Sequence, residues 1–203
     1  NAAGIYMDGV PVGRNQGLAA DIADLERVEV LRGPQGTLYG RNTTAGAVNF
    51  ITRKPEKDFS FSQQVGFGNY DQFSAKTTIN IPVNDMLLTR LVYMRANKDG
   101  WVENTNKTLP NQIDHNRDDK EALRLSVRLL ASKNFTADYS FDHSQMEYGN
   151  SFYQIISGPT APGGRQESTT AVQGLSPSDI KARGHSLTLT WDVGDVQLKS
   201  ITG

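Results

Sequence analysis

The chain has 203 residues, and its 21 basic and 22 acidic side chains leave a formal net charge of −1. This balance offers no basic surface for nucleic acid, so no nucleic-acid partner is expected. Cysteine is absent, which excludes a disulfide framework, a thiol nucleophile and thiolate metal ligands. No run of about 18 apolar residues occurs, so the sequence predicts no membrane-spanning helix.

Residues 1–55 are rich in glycine and in short β-branched runs. Ile5–Val12 predicts two short strands around a turn. Asp24–Arg32 predicts a strand that runs into a Pro/Gly turn at Gly33–Gly36. The segment Gly46–Thr52 is again typical of a strand. The chain begins at Asn1 without an initiator Met and ends directly after a strand-like segment, so we expect it to be truncated at both ends.

From about residue 58 the pattern changes to longer segments in which apolar and polar residues alternate with a period of two. About seven antiparallel strands are predicted. Five of the segments alternate regularly, at 59–67, 73–83, 123–129, 135–141 and 187–193. The alternation is weaker in two others, at 86–97 and 196–202.

Connections between these segments alternate in length. Tight turns are predicted at Asn84–Asp85, Ser132–Asn134 and Gly194–Asp195. Long polar loops are predicted at roughly 98–119 and 147–182. Short turns on one side and long loops on the other are typical of an outer-membrane β-barrel.

The charged residues of segment 123–129 indicate which face points where. An Arg on the lipid side at mid-bilayer costs roughly 2–4 kcal/mol, so Arg124 and Arg128 are expected in the lumen. Leu123, Leu125 and the other apolar residues of the segment would then face lipid. A soluble β-sandwich with one wet face would show the same period, and the alternation alone leaves that reading open.

The most specific motif is Leu25-Glu-Arg-Val-Glu-Val-Leu-Arg-Gly-Pro, followed by Leu38-Tyr-Gly and by Ala45-Gly-Ala-Val-Asn-Phe-Ile-Thr-Arg-Lys-Pro. This order closely resembles the C-terminal half of the plug domain in TonB-dependent outer-membrane receptors. Tyr6-Met-Asp-Gly-Val upstream and Gly66-Phe-Gly-Asn-Tyr downstream resemble further segments of that family. Leu25 in place of Ile, and Ala45-Gly46 in place of Gly-Gly, are small departures.

The resemblance implies a mainly β fold: a Gly-rich plug remnant over 1–55, then antiparallel strands of an incomplete transmembrane β-barrel over 56–203. It also implies a fragment of an active transporter of the Gram-negative cell outer membrane, most commonly for ferric siderophores, embedded in outer-membrane lipid. The implied energy source is the TonB-ExbB-ExbD complex, which engages a TonB box missing from this chain. No enzyme, cofactor or metal site is expected.

Family resemblance also nominates residues for shaping the plug or anchoring it to the barrel: Arg27, Glu29, Arg32, Gly33, Pro34, Gly36, Tyr39, Gly40, Gly46 and Asn49. Pro34 fixes φ in the predicted turn, and glycines there tolerate positive φ. Gly40 and Gly46 would let backbone segments approach closely. An Arg at the position of Arg32 tends in the family to pair with acidic residues on the inner barrel wall; a solvated turn residue is the alternative.

Five residues of the long loops are candidates for contact with a ligand outside the cell: Trp101, His115, Tyr148, Phe152 and Tyr153. The alternative is mobile loops whose aromatic residues lie at the membrane interface. His115, beside several charged residues, also fits a solvated charge cluster.

Two readings from other classes remain open. A small closed outer-membrane barrel with a structural or adhesin role would require the chain to end soon after Gly203. A soluble β-rich binding protein would bury Leu123, Leu125, Val127 and Leu129 in a water-soluble core.

Overall fold

A computed structural model of the protein describes residues 3–12, 24–39, 43–106, 113–154, 157–158, 164–169 and 177–203. These residues form two main β-sheets, a small two-stranded sheet and one short helix. None of the helices in these ranges is long and apolar enough to cross a membrane.

The first sheet has four strands in the order β2-β1-β4-β3. The strands are β1 (Ala3–Met7), β2 (Val10–Pro11), β3 (Leu25–Arg32) and β4 (Gly46–Thr52). The central pair β1 and β4 is parallel, whereas β2 and β3 run antiparallel to their neighbours. Helix α1 (Gly36–Tyr39) lies between β3 and β4 in sequence. The strands predicted at Ile5–Val12, Asp24–Arg32 and Gly46–Thr52 are therefore present.

The second sheet has seven strands in the order β13-β12-β10-β9-β7-β6-β5, and every neighbouring pair is antiparallel. Its strands are β5 (Ser60–Gly68), β6 (Gln72–Pro82), β7 (Leu87–Lys98), β9 (Asp118–Ser132), β10 (Phe135–Tyr148), β12 (Ser178–Val193) and β13 (Val196–Thr202). The predicted number of antiparallel strands is confirmed. The described strands do not close into a barrel, so they do not form the small closed barrel.

The two faces of this sheet differ as the alternation predicts. Arg124 and Ser126 are buried against the four-stranded sheet, whereas Leu129 on the opposite face is 38% exposed. In a soluble β-sandwich the leucine face would pack in the core and the arginines would be exposed to solvent. Because the apolar face points outward instead, the soluble reading is wrong.

Several strands run further than the hydrophobic pattern predicts. β9 has 15 residues, β10 has 14 and β12 has 16. Beyond Leu123 the outward positions of β9 become acidic, at Glu121 and Asp119, while the backbone pairing continues. The apolar period therefore covers less than the whole strand, and both long loops are shorter than predicted.

Candidate functional site

The two main sheets meet at a buried ion pair. The Arg90 guanidinium on β7 donates two hydrogen bonds to the Asp24 carboxylate, at 2.7 and 2.8 Å. Both side chains are less than a tenth exposed. A planar guanidinium and a carboxylate in this two-bond arrangement are held in one orientation, so the pair fixes the start of β3 against the wall.

A second polar contact joins the β1–β2 turn to the wall. The Arg124 guanidinium on β9 donates to Asp8 at 3.1 Å, to Thr52 Oγ1 at 3.1 Å and to Asp142 on β10 at 2.6 Å. Asp8 also accepts from the Thr52 backbone amide and hydroxyl, at 3.0 and 2.6 Å. Arg124 therefore bridges one acid of each sheet.

The linker between the sheets is held by a wall residue. Asn80 on β6 is fully buried, and its side-chain amide donates to the carbonyl oxygens of Glu56 and Asp58. Its amide oxygen accepts from the Glu56 backbone N–H at 3.0 Å. Three hydrogen bonds from one side chain fix the linker where it enters the seven-stranded sheet.

Glycines at two positions meet strict backbone demands. Gly33 has φ +84°, as the predicted turn requires. At Gly46 an added Cβ would lie 2.3 Å from the Leu31 carbonyl oxygen, which confirms the predicted close approach. Gly36 instead begins helix α1, so Pro34 and Gly36 do not form one uninterrupted turn. Gly40 lies outside the described residues.

Sequence comparisons point to one family. A model of the TonB-dependent receptor plug domain matches residues 1–47. The chain is 36% identical over 87 residues to the pesticin receptor of Yersinia enterocolitica. It is 32% identical over 91 residues to the catecholate siderophore receptor Fiu of Escherichia coli K12. Residues 1–47 therefore match a TonB-dependent receptor plug domain, and the chain spans about an eighth of the length of these two relatives.

Structural comparison agrees on the fold over nearly the whole chain. The crystal structure of the ferric yersiniabactin uptake receptor FyuA from Yersinia pestis superimposes with a TM-score of 0.77 at 20% identity, covering 98% of this chain and 31% of that one. The matched sequence regions are 43% and 44% of this chain, and only 13% and 12% of the pesticin receptor and Fiu. The four-stranded sheet is thus plug and the seven-stranded sheet is part of a barrel wall, in the outer membrane of a Gram-negative bacterium.

Several plug-motif residues stabilise the plug internally. Arg27 pairs with Glu29 at 2.8 Å on the exposed face of β3, and the hydrogen bond that its guanidinium donates to the Glu29 carboxylate raises the pKa of Arg27 above its ordinary value. Glu29 also accepts from the Asn49 amide at 3.4 Å. The Tyr6 hydroxyl donates to the Tyr39 carbonyl oxygen, and the two rings meet edge to face at 4.7 Å.

Arg32, the residue nominated to tether plug to barrel, is exposed, and its guanidinium has no partner among the described residues. The tethers that the structure does show have the opposite polarity, with arginines on the barrel and acids on the plug. Sequence reasoning placed Arg124 in the lumen but missed Arg90, Asp24, Asp8 and Asn80. The two arginines expected in the lumen, Arg124 and Arg128, could have indicated these contacts, because a buried arginine requires an acidic partner.

The two long loops bind each other. Glu103–Asn104 (β8) and Ser168–Thr169 (β11) form a short parallel ladder. The Glu103 amide donates to the Glu167 carbonyl at 2.9 Å, and the Thr105 amide donates to the Thr169 carbonyl at 3.0 Å. Sequence periodicity missed this ladder because two-residue strands carry no alternation.

The five loop candidates differ in exposure: Tyr153 is exposed, His115 is buried, and Trp101, Tyr148 and Phe152 are half-buried. The Arg165 guanidinium stacks on the Trp101 ring at 4.5 Å from its centroid. Tyr153 is 89% exposed. His115 is only 3% exposed and packs edge to face on Phe152, so the prediction of a solvated charge is wrong and direct ligand contact by its ring is disfavoured.

Tyr148 is half-buried at the end of β10. Its hydroxyl donates to the Met146 sulfur at 3.0 Å, and the Lys120 ammonium lies 5.5 Å from its ring centroid. Over the ranges that the structure describes, no group of three or more His, Cys, Asp and Glu side chains is arranged to hold a metal ion.

Proposed function

We propose that this chain is a segment of an active transporter that takes up a ferric siderophore across the outer membrane. In this proposal residues 1–55 belong to the plug and residues 56–203 to the barrel, whose leucine face contacts outer-membrane lipid. Energy comes from the TonB-ExbB-ExbD complex, which pulls on a TonB box outside this segment.

One observation carries the proposal: the plug sheet is held on the polar lumenal face by the Asp24–Arg90 and Asp8–Arg124 contacts. A passive pore needs an open lumen, whereas a lumen closed by a noncovalently held plug conducts only after those contacts are broken. An occluded barrel of this kind therefore requires work on the plug, which is the task of an energised transporter.

The ligand class is supported by the relatives and by the loops. Two proteins that this chain resembles are a catecholate siderophore receptor and a ferric yersiniabactin uptake receptor. In this chain the Trp101–Arg165 stack presents an aromatic ring with a cation over it, and Tyr153 adds an exposed phenol. Aromatic and cationic groups together suit an anionic chelate that carries aromatic rings.

The experiment expresses the complete receptor that contains this segment in cells lacking their own ferric-siderophore receptors. Initial uptake of radiolabelled iron is measured with catecholate, phenolate and hydroxamate chelates, each against an empty-vector control. We expect accumulation of at least one chelate above the control. If no iron chelate accumulates, the siderophore assignment is wrong.

A matched pair of loop variants tests the ligand contacts. Trp101→Ala together with Arg165→Ala should raise the chelate concentration needed for half-maximal uptake, since both groups of the stack are lost. His115→Gln, in the interior of the loop unit, should affect that concentration less. If His115→Gln instead raised that concentration more than the double substitution did, the Trp101–Arg165 stack would not be part of the ligand site.

A further inference from the structure

The groups that the proposed ligand site uses lie on three separate loop segments. Trp101 follows β7, Tyr153 follows β10, and Arg165 precedes β11. The charge of Arg165 is available to an anion, because no carboxylate in the described part of the chain pairs with its guanidinium. Since the three groups are far apart in sequence, they act as one site only if contacts between the loops hold them together.

The backbone on both sides of Trp101 is fixed by the segment that leads into β9. The Val102 carbonyl oxygen accepts a hydrogen bond from the His115 amide at 3.0 Å, and the Val102 side chain is fully buried. On the other side, a Cβ added at Gly100 would lie 2.5 Å from the His115 carbonyl oxygen. Such close packing leaves the backbone little room to shift, so buried contacts set the position of Trp101.

Arg165, by contrast, lies in an exposed segment, and one side chain holds the residues on both sides of it. The Gln154 side-chain amide donates a hydrogen bond to the Gly164 carbonyl oxygen, and its oxygen accepts one from the Gln166 backbone amide at 3.0 Å. Only a side chain with both a donor and an acceptor can make these two bonds at once. Gln154 thus restricts the backbone of Arg165 and leaves its guanidinium on the Trp101 ring.

The same side chain connects Arg165 to the exposed phenol of Tyr153. Tyr153 directly precedes Gln154, and on its other side the Phe152 amide donates to the Asn116 side-chain oxygen at 3.4 Å. Tyr153 therefore lies between two hydrogen-bonded neighbours, as Arg165 does. Gln154 is the residue through which the Tyr153 and Arg165 segments meet.

We propose that Gln154 is a positioning residue of the ligand site, which sets the Arg165 cation over the Trp101 ring before the ligand binds. A long, exposed arginine loses conformational freedom when it binds an anion, so an arginine that is fixed in advance binds the anion more tightly. Gln154 acts through Arg165 and not by touching the chelate. This inference rests on the proposed siderophore function and adds to it the residue that assembles the ligand contacts.

Gln154→Leu in the complete receptor tests this role, because leucine has a similar size and loses both hydrogen bonds. Gln63→Leu is the matched control. The Gln63 amide also donates to a backbone carbonyl, that of Gln64 at 3.3 Å, and accepts from a neighbour, the Thr77 hydroxyl at 2.6 Å, but it lies on strand β5 of the wall. Uptake is measured with whichever of the catecholate, phenolate and hydroxamate ferric chelates the receptor accumulates.

We expect Gln154→Leu to raise the chelate concentration for half-maximal uptake about two- to fivefold, roughly what an exposed cation–π contact contributes, with the maximal rate unchanged. Arg165→Ala should raise that concentration by as much or more, and Gln154→Leu added to Arg165→Ala should change it little further. Gln63→Leu should leave it unaltered. No effect of Gln154→Leu, or an equal effect with and without Arg165, would overturn the proposal. No effect of Arg165→Ala would also overturn it, while the transport function itself would stand.

Hydrogen exchange separates positioning of Arg165 from a general loosening of the loops. In Gln154→Leu the Gln166 amide should exchange faster because it loses its acceptor, whereas the Glu103 and Thr105 amides keep their ladder hydrogen bonds and their exchange rates. Equal acceleration of all three amides would overturn the proposal, since Gln154 would then hold the whole pair of loops. Absence of uptake by the unsubstituted receptor contradicts the proposed function, and the exchange result still decides whether Gln154 fixes the Arg165 segment.

Discussion

A double-mutant cycle on Asp24 and Arg90 measures how strongly the plug is held to the barrel. Asp24→Leu and Arg90→Met each remove one member of a pair whose side chains are 4% and 9% exposed. Removal of one partner from such a buried pair costs about 3–5 kcal/mol, because the other charge stays buried without compensation. The double substitution replaces both charges by apolar groups and should recover most of that loss.

Hydrogen exchange of the β3 and β4 amides in the membrane-embedded receptor is the assay. At about 1.4 kcal/mol per tenfold change, each single variant should accelerate exchange by roughly two to four orders of magnitude. In the double variant, the exchange rate of these amides should lie within about tenfold of the rate in the unsubstituted protein.

Arg128→Met is the matched control. Arg128 also makes two hydrogen bonds to a carboxylate, that of Asp138, at 2.8 and 3.2 Å, but both residues belong to the barrel wall. It should therefore leave the plug amides nearly unchanged. Unaltered exchange in the single variants, or a double variant as fast as they are, would refute the conclusion that this pair holds the plug.

Three further substitutions probe the linker, the plug and the wall. Asn80→Ala should destabilise the linker by about 1–3 kcal/mol, because buried backbone groups lose their hydrogen-bond partners. Protease should then cleave the linker faster, and an unchanged cleavage rate would count against this role of Asn80. Gly46→Ala should lower the stability of the plug by roughly 2 kcal/mol or more, because its Cβ would contact the Leu31 carbonyl and its φ is positive. Gly36→Ala, which has open space around it, should not lower that stability. Hydrogen exchange of the plug amides in the two variants measures the difference. Leu125→Arg on the outer face should cost about 2–4 kcal/mol and lower the folded fraction in gel-shift assays, unlike Leu125→Phe, and equal folded fractions would contradict a lipid-facing position.

Local patterns predicted most of the fold. A period of two located the long strands, and the cost of placing Arg124 in lipid correctly oriented the wall. The plug strands and the Gly33 turn also follow from local residue types. These features depend on neighbours within a few residues, so a single sequence contains the information.

Long-range contacts could not be predicted in the same way. Asp24 and Arg90 are 66 residues apart, and neither position differs locally from an ordinary polar residue. The resemblance to known receptors drew attention to Arg32, an arginine on the plug, whereas the visible tethers have their arginines on the barrel. The burial of His115 likewise depends on the pairing of two distant loops.

TonB dependence of uptake tests the central claim most directly. Initial uptake of the transported chelate is compared in otherwise identical cells with and without TonB, alongside binding of the chelate to the cell surface. In the proposed receptor the plug occludes the lumen, so uptake is expected to fall to background without TonB while surface binding persists. Uptake at the same rate without TonB would contradict an energised, plugged transporter and would indicate a passive pore.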